Sequence, residues 1–369
     1  MNKPFSIYLD LVRFTAACLV YLAHSNRRLL MVDMPPAAAF GHTAVVVFFV
    51  LSGFVIAYVT DQKEKDWASY AASRLSRVYS VAVPTLLLTV LLDAIGRPLF
   101  PALYTYPFDQ FSLRILGSLL MLNEAWFISI GIFSNTPYWS IAYESWYYII
   151  FGVAMFVPKP WRALALLGCG LIIGPQILLL LPVWWAGVGL YRWRWLAQTS
   201  QAFCWCLVVL SVLGIIGYHE LAIYKAQARW TEQLLGEPLY QKLGTANLFL
   251  VDYVLALLVF CNFAGMRGIA DSLAPLLLRI ERPVRWLAGY TFTLYMLHQP
   301  LLLFWAAVIR GRPETPLYWI EITVLTALSV VAVGHVTESR RHALRQVIEA
   351  QLLRAQLRWR SRPGANAAC

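Results

Sequence analysis

Charge is what this sequence has least of. Of 369 residues only 13% are Asp, Glu, Lys or Arg, whereas 60% are hydrophobic and the mean hydropathy is +0.61. Soluble domains carry about a quarter charged residues, so a soluble globular class is excluded. Cysteine is equally uninformative as a framework. Cys18, Cys169, Cys204, Cys206, Cys261 and Cys369 fall mostly inside apolar runs. They show neither zinc spacing nor a pairable loop pattern and read as small hydrophobes. No His/Asp/Glu cluster has ligand spacing, so no metal is expected. No cleavable signal peptide is expected, because the first apolar run carries Asp10 and Arg13 and lacks a small-residue cleavage site. No RNA- or DNA-binding motif accompanies the net charge of +11. That excess is expected in cytoplasmic loops, with no nucleic-acid partner.

What is present is a series of apolar runs at 5–25, 40–60, 78–96, 138–157, 163–181, 183–199, 202–218, 245–266, 285–309 and 318–338. Each is near the ~20 residues that a spanning helix needs. The expected fold is therefore an all-α polytopic membrane protein of about ten spans. Basic residues favour the cytoplasm. The assignment closes with Lys63, Lys65, Arg74, Arg77, Lys159, Arg162, Arg192, Arg194, Arg267, Arg279, Arg282 and Arg285 inside, and with both termini cytoplasmic. It closes only if the half-apolar piece 112–130, with Arg114, Asn123 and Glu124, does not cross. That piece is expected to re-enter, which backbone at membrane depth does only where it lines a cavity. The chain divides into a transmembrane domain, 1–338, and a basic tail, 339–369, helical in period and expected to lie on the membrane surface.

Charge within a bilayer is costly and needs a reason. In "RFTAACLVYLAH", Arg13 and His24 are eleven residues apart, almost three helical turns, so they share a face. At ~1.5 Å per residue they are ~16 Å apart and cannot touch. An Asp10–Arg13 pair that merely ties the bundle is the plainer reading. Arg74 and Arg77 share a face three apart and read either as positive-inside charge or as a fork for a phosphate-rich ligand. Ser52–Gly53 reads first as a site of close helix contact. Glu144, among aromatics in "YWSIAYESWYY", needs a cation, a histidine or a substrate as partner. In "YTFTLYMLHQP", His298 precedes Pro300, and its imidazole either satisfies the carbonyl that proline frees or acts in chemistry. Asp252 and His298 are expected nearer mid-membrane.

Together these stretches resemble acyltransferase family 3, integral-membrane O-acyltransferases of bacterial surface polysaccharides and related glycans. The shared features, in order, are Arg13–x10–His24, "FFVLSGFVI", Arg74–x–x–Arg77, "WSIAYESWYY" and "YTFTLYMLHQP" with Tyr295 and His298. They run from residue 10 to 302. One departure is Val46, where the family often has an acid. Without a fused esterase-like domain, the chain resembles the stand-alone form. The resemblance implies transfer of an acyl group, usually acetyl from cytoplasmic acetyl-CoA, to a sugar hydroxyl of a cell-surface or lipid-linked glycan. It implies a multi-pass protein of the bacterial inner membrane.

Joined to the residues, that gives a scheme. Arg74 and Arg77 hold the CoA phosphates, with Ser52 and Gly53 as further donor-side candidates. Arg13 lines the passage and polarises the thioester region. His24 acts on the acceptor hydroxyl as general base with Glu144 orienting it, or carries the acyl group itself. Asp10, Asn123, Tyr295 and His298 are further candidates. The competing classes are a glycan or lipid transporter and a non-catalytic member of a polysaccharide assembly complex. Neither inverted repeats nor matched broken helices, which transporters tend to show, are evident.

Overall fold

Helix after helix is what a backbone must form where no water can satisfy its polar groups. The computed structural model describes residues 1–26, 35–193, 199–312, 315–338 and 340–360; Arg194 and the end of the tail, 361–369, lie outside the described residues. It contains no named strand among them. The long helices are α1 (Lys3–Asn26), α2 (Gly41–Lys63), α3 (Trp67–Leu99), α5 (Trp139–Phe156), α6 (Lys159–Arg192), α7 (Gln201–Glu220), α10 (Phe249–Ile269), α13 (Thr291–Ile309), α14 (Pro316–Thr337) and α15 (Arg341–Arg360). Short helices α4 (Phe111–Leu119), α8 (Ile223–Leu235), α9 (Glu237–Lys242), α11 (Ala274–Arg279) and α12 (Glu281–Gly289) join them. Asp66 starts α3 by accepting from Ser69 N at 2.9 Å, and Ser200 does the same for α7 through Phe203 N at 3.3 Å.

Eight of the helical stretches are long and apolar enough to cross a membrane. Two details separate this number from the ten passes expected. The first is α5, whose 18 residues are broken up by Trp, Tyr, Ser and Glu and are mostly buried within the bundle. The second is α6. A straight helix of its 34 residues would hold its ends about 50 Å apart. Yet Arg192 reaches Met155 Sδ at 3.2 Å, four residues before Lys159. Both ends of α6 therefore lie at the same end of α5, and α6 is a helical hairpin. It reverses at Gly174, whose φ of 73° and ψ of −170° are not helical. The expected boundary between 181 and 183, beside Pro182, is wrong by about two turns: Pro182 is carried inside the second arm.

Trp126 seals this turn. Its backbone N–H donates to Ile173 O at 2.7 Å and its indole N–H to Leu171 O at 2.9 Å. Pro175 follows Gly174 and has no N–H to offer to the first arm's last carbonyls.

The segment expected to re-enter does descend into the bundle. Asp93 of α3 accepts from Ser134 N (3.0 Å) and Ser134 Oγ (2.5 Å). At the deepest point, Leu119 O accepts from Tyr79 of α3 (2.7 Å) and Met121 O from Trp146 of α5 (2.8 Å). Asp93 and Tyr79 are about 21 Å apart along α3. With nine residues, α4 is too short to cross, so the chain goes down and returns through irregular backbone with positive φ at Met121, Trp126 and Phe133.

Candidate functional site

Four helices and the start of α3's apolar part converge on one cavity. Arg13 comes from α1, Ser52 from α2, Arg77 from α3, Glu144 from α5 and Tyr295 from α13. Glu144 sits in the second turn of α5, after a 3₁₀ turn, Thr136–Tyr138. Ser52 Oγ donates to Glu144 Oε1 at 2.5 Å, and the Tyr148 hydroxyl, one turn on, donates to the same oxygen. Trp184 Nε1 fixes Ser52 Oγ in turn at 3.1 Å. A carboxylate inside a bundle is thus held by hydroxyl donors rather than by an ion pair. Across the cavity, Tyr295 and Ser140 share a hydrogen bond of 2.7 Å.

Glu144 is not the partner of His24. That place is taken by His298, one turn above Tyr295. His298 Nε2 lies 3.1 Å from His24 Nδ1, with ring centroids 4.9 Å apart. The tautomers follow from the neighbours. His298 Nδ1 faces two carbonyls, Leu294 O (3.1 Å) and Tyr295 O (2.8 Å), which only accept. It therefore carries the proton, and Nε2 of the neutral ring is an acceptor. His24 Nδ1 faces that acceptor and Val20 O at 2.9 Å, so it must donate. The lone pair of neutral His24 is then on Nε2. The carbonyl freed by Pro300 is that of Met296. Asn135 Nδ2 donates to it at 2.9 Å, so His298 is not needed there.

Below the cavity is a mouth at the end of the bundle that carries the N-terminus. Arg13, Arg77 and Phe292 line both spaces, which therefore lie side by side. The mouth adds Arg285 of α12, Arg341 at the start of α15, Asp10 and Glu338. Asp10 joins Arg13 (3.2 Å) to Arg285 (3.0 Å). Glu281 then ties Arg285 (3.0 Å) to Lys3 (2.7 Å), and these partners hold its carboxyl below the usual glutamate range.

The expected Arg74–Arg77 fork is split. Arg74 is buried and salt-bridged to the buried Glu64, with its guanidinium over the rings of Tyr70 (5.3 Å) and Tyr148 (5.8 Å). It lines an apolar groove between α3 and α5 instead of the mouth. Only Arg77 of the two reaches the mouth. Ser52 and Gly53 also part. Ser52 lines the cavity, whereas Gly53 faces α6, where a Cβ would come within 2.0 Å of Trp184 O. Asn123 is buried in the descending loop, its carbonyl accepting from Ile130 N at 2.9 Å, away from the cavity. Asp252 lies in the first turn of α10, bonded to His42 at 2.6 Å, at the end of the bundle opposite the mouth and not midway.

Sequence reading missed Arg341, Glu338, Glu64 and Asn135. Arg341 falls in the basic tail read as surface charge, and Glu64, between Lys63 and Lys65, carries no signal of its own. For Asn135 the signal was available: a freed Pro carbonyl needs a donor. No group of three or more His, Cys, Asp or Glu that could hold a metal occurs among the described residues.

The family model for an acyltransferase domain, that of acyltransferase family 3, matches residues 6–335. Acyltransferase MdmB of Streptomyces mycarofaciens is similar, at 26% identity over 149 residues. That stretch is 38% of this chain and 36% of the relative, so the chain spans about a third of the length of the curated relative it matches. No solved structure matches.

Proposed function

Because the chain belongs to acyltransferase family 3, we propose that it transfers an acyl group, acetyl in the simplest case, from acyl-CoA to a hydroxyl of a glycan or lipid-linked saccharide. The observation that carries the reading is the forced tautomer of His24, which points a lone pair from Nε2 while Nδ1–H is held by His298. That is the state a general base needs. The donor enters by the mouth, where guanidinium groups suit phosphates. Its pantetheine arm follows the cavity past Arg13, Ser52 and Tyr295. The acceptor comes from the opposite end of the bundle and meets the thioester beside His24. His24 Nε2 takes the hydroxyl proton as the new C–O bond forms. The C–S bond breaks, and the thiolate recovers a proton as CoA leaves. The setting is a bacterial inner membrane, with the mouth on the cytoplasmic side.

The test is incorporation of label from [14C]acetyl-CoA into lipid-linked or soluble saccharide by purified protein in nanodiscs. Incorporation that disappears in His24→Ala is expected. Equal incorporation by wild type and His24→Ala removes the base assignment. Movement of an unmodified saccharide across the vesicle membrane without label transfer favours a transporter.

A further inference from the structure

The mouth contains four guanidinium groups, Arg13, Arg77, Arg285 and Arg341, but two carboxylates, Asp10 and Glu338. Asp10 is shared by Arg13 and Arg285. Glu338 is held by α13, accepting from Thr293 N (3.2 Å) and Thr293 Oγ (2.6 Å), and its single charge is shared between Arg77 and Arg341. Among the described residues, neither Arg77 nor Arg341 makes a close ion pair, and Arg77 acts on Arg341 as a like charge that Glu338 offsets only in part. Bringing unpaired cations together costs free energy unless an anion joins them.

The position of Arg341 is not an accident of a loose tail. The Glu338–Thr293 bonds pin the end of α14 to the start of α13, and Arg341 N follows by donating to Glu338 O at 3.3 Å. Beyond it, α15 packs along α3, the helix that supplies Arg77. A basic helix expected to lie flat on lipid is instead drawn against the bundle, with its first residue in the mouth.

We propose that Arg341 is a phosphate-binding residue of the donor mouth, which makes α15 a working part of the site. The ligand chemistry is that of a multiply phosphorylated anion, reached jointly by Arg77 and Arg341 at one side of the mouth and by Arg13 and Arg285 at the other. This rests on the acyl-CoA reading above. A planar fork of donors fits phosphate oxygens better than an ammonium does, so lysine at 341 is a partial substitute.

The experiment is CoA binding to the full-length protein in detergent by titration calorimetry. Wild type, Arg341→Gln, Arg341→Lys and Arg354→Gln are compared, with thermal midpoints recorded. Arg354 is exposed, about three and a half turns further along α15. Arg341→Gln is expected to weaken CoA by about tenfold or more, the size of one charge-assisted hydrogen bond. Arg341→Lys should fall between, and Arg354→Gln should match wild type. Wild-type affinity in Arg341→Gln overturns the inference and leaves the acyl-CoA reading intact. Equal weakening by Arg341→Gln and Arg354→Gln overturns it too, since only general charge is then felt. If Arg341→Gln loses its fold, Arg341→Lys decides: weakened binding with a normal thermal midpoint supports the inference, and wild-type binding rejects the guanidinium fork on which it is argued. Failure of wild type to bind CoA removes the acyl-CoA reading and the inference with it.

Discussion

His298 Nε2 and His24 Nδ1 meet at 3.1 Å from positions 274 residues apart in the chain. The contact, together with Val20 O, sets which nitrogen of His24 holds the lone pair, so we treat His298 as a positioning residue. His298→Ala should lower kcat by about 10²-fold, at the lower end of general-base effects. It should leave CoA affinity unchanged. Glutamine offers an acceptor oxygen near the lost Nε2, so His298→Gln should recover part of the rate. Steady-state kinetics at saturating acceptor give the answer. Full kcat in His298→Ala would show that Val20 O alone holds the tautomer.

The buried Glu64–Arg74 pair leads to a prediction that separates structure from donor binding. Removing one member strands the other as an unpaired buried charge, at a cost of about 3–5 kcal/mol. Arg74→Met should therefore cut the thermal midpoint sharply. Glu64→Leu/Arg74→Met should regain much of it, because two apolar groups of similar volume leave no orphan charge. Arg77→Ala should do the reverse, with little change in midpoint but loss of CoA binding. A double variant that folds but binds no CoA would return Arg74 to the donor site.

The eight helical stretches apolar enough to cross a membrane, and their order, were legible as apolar runs of spanning length, and the descending loop because its charge broke the topology. The Gly174 reversal was less so. Pro182 looks like the stronger breaker, but it is carried inside the second arm, and Gly174 supplies the positive φ that reverses the chain. The Asp10–Arg13 pair followed from i,i+3 spacing. The partner of His24 did not, since local periodicity says nothing about which face of a distant helix will pack there. For the same reason Arg74 and Arg77 looked equivalent. Only the chain's return at Glu64, ten residues before Arg74, makes one a buried ion-pair partner and leaves the other facing the mouth.

Glu281 gives the mouth a pH-dependent tie. Lys3 and Arg285 hold its carboxyl below the ordinary range, so its ionised form is favoured more in the folded protein than in the unfolded chain. The stabilisation is fully present above the unfolded glutamate value, about 4.3, and is lost as pH falls through the lowered folded value. The group is half-buried at the surface, and added salt should weaken the tie. The thermal midpoint of wild type should exceed that of Glu281→Gln at pH 7 by a small margin. That margin should shrink in high salt and vanish toward pH 3. A gap that widens on acidification would contradict the assignment.

Gly53 and Gly187 let the cavity wall exist. On α2, a Cβ at 53 would lie 2.0 Å from Trp184 O; on α6, a Cβ at 187 would lie 1.9 Å from Val50 O and 2.6 Å from Phe54 N. The obstacles are backbone atoms, so no rotamer change relieves them, and the helices must separate. Trp184 lies beside this contact, and its indole N–H holds Ser52 Oγ, which holds Glu144. Gly187→Ala should thus act twice. Overpacking of this kind costs about 1–3 kcal/mol, which a lowered thermal midpoint would register. In the fraction that remains folded, the Ser52–Glu144 contact should loosen and the cavity lose its shape, with a reduced kcat/KM. Gly189, which has open space beside it, is the control, and Gly189→Ala should change neither. If Gly187→Ala lowers the midpoint but leaves kcat/KM intact, the α2–α6 contact supports the bundle without shaping the site.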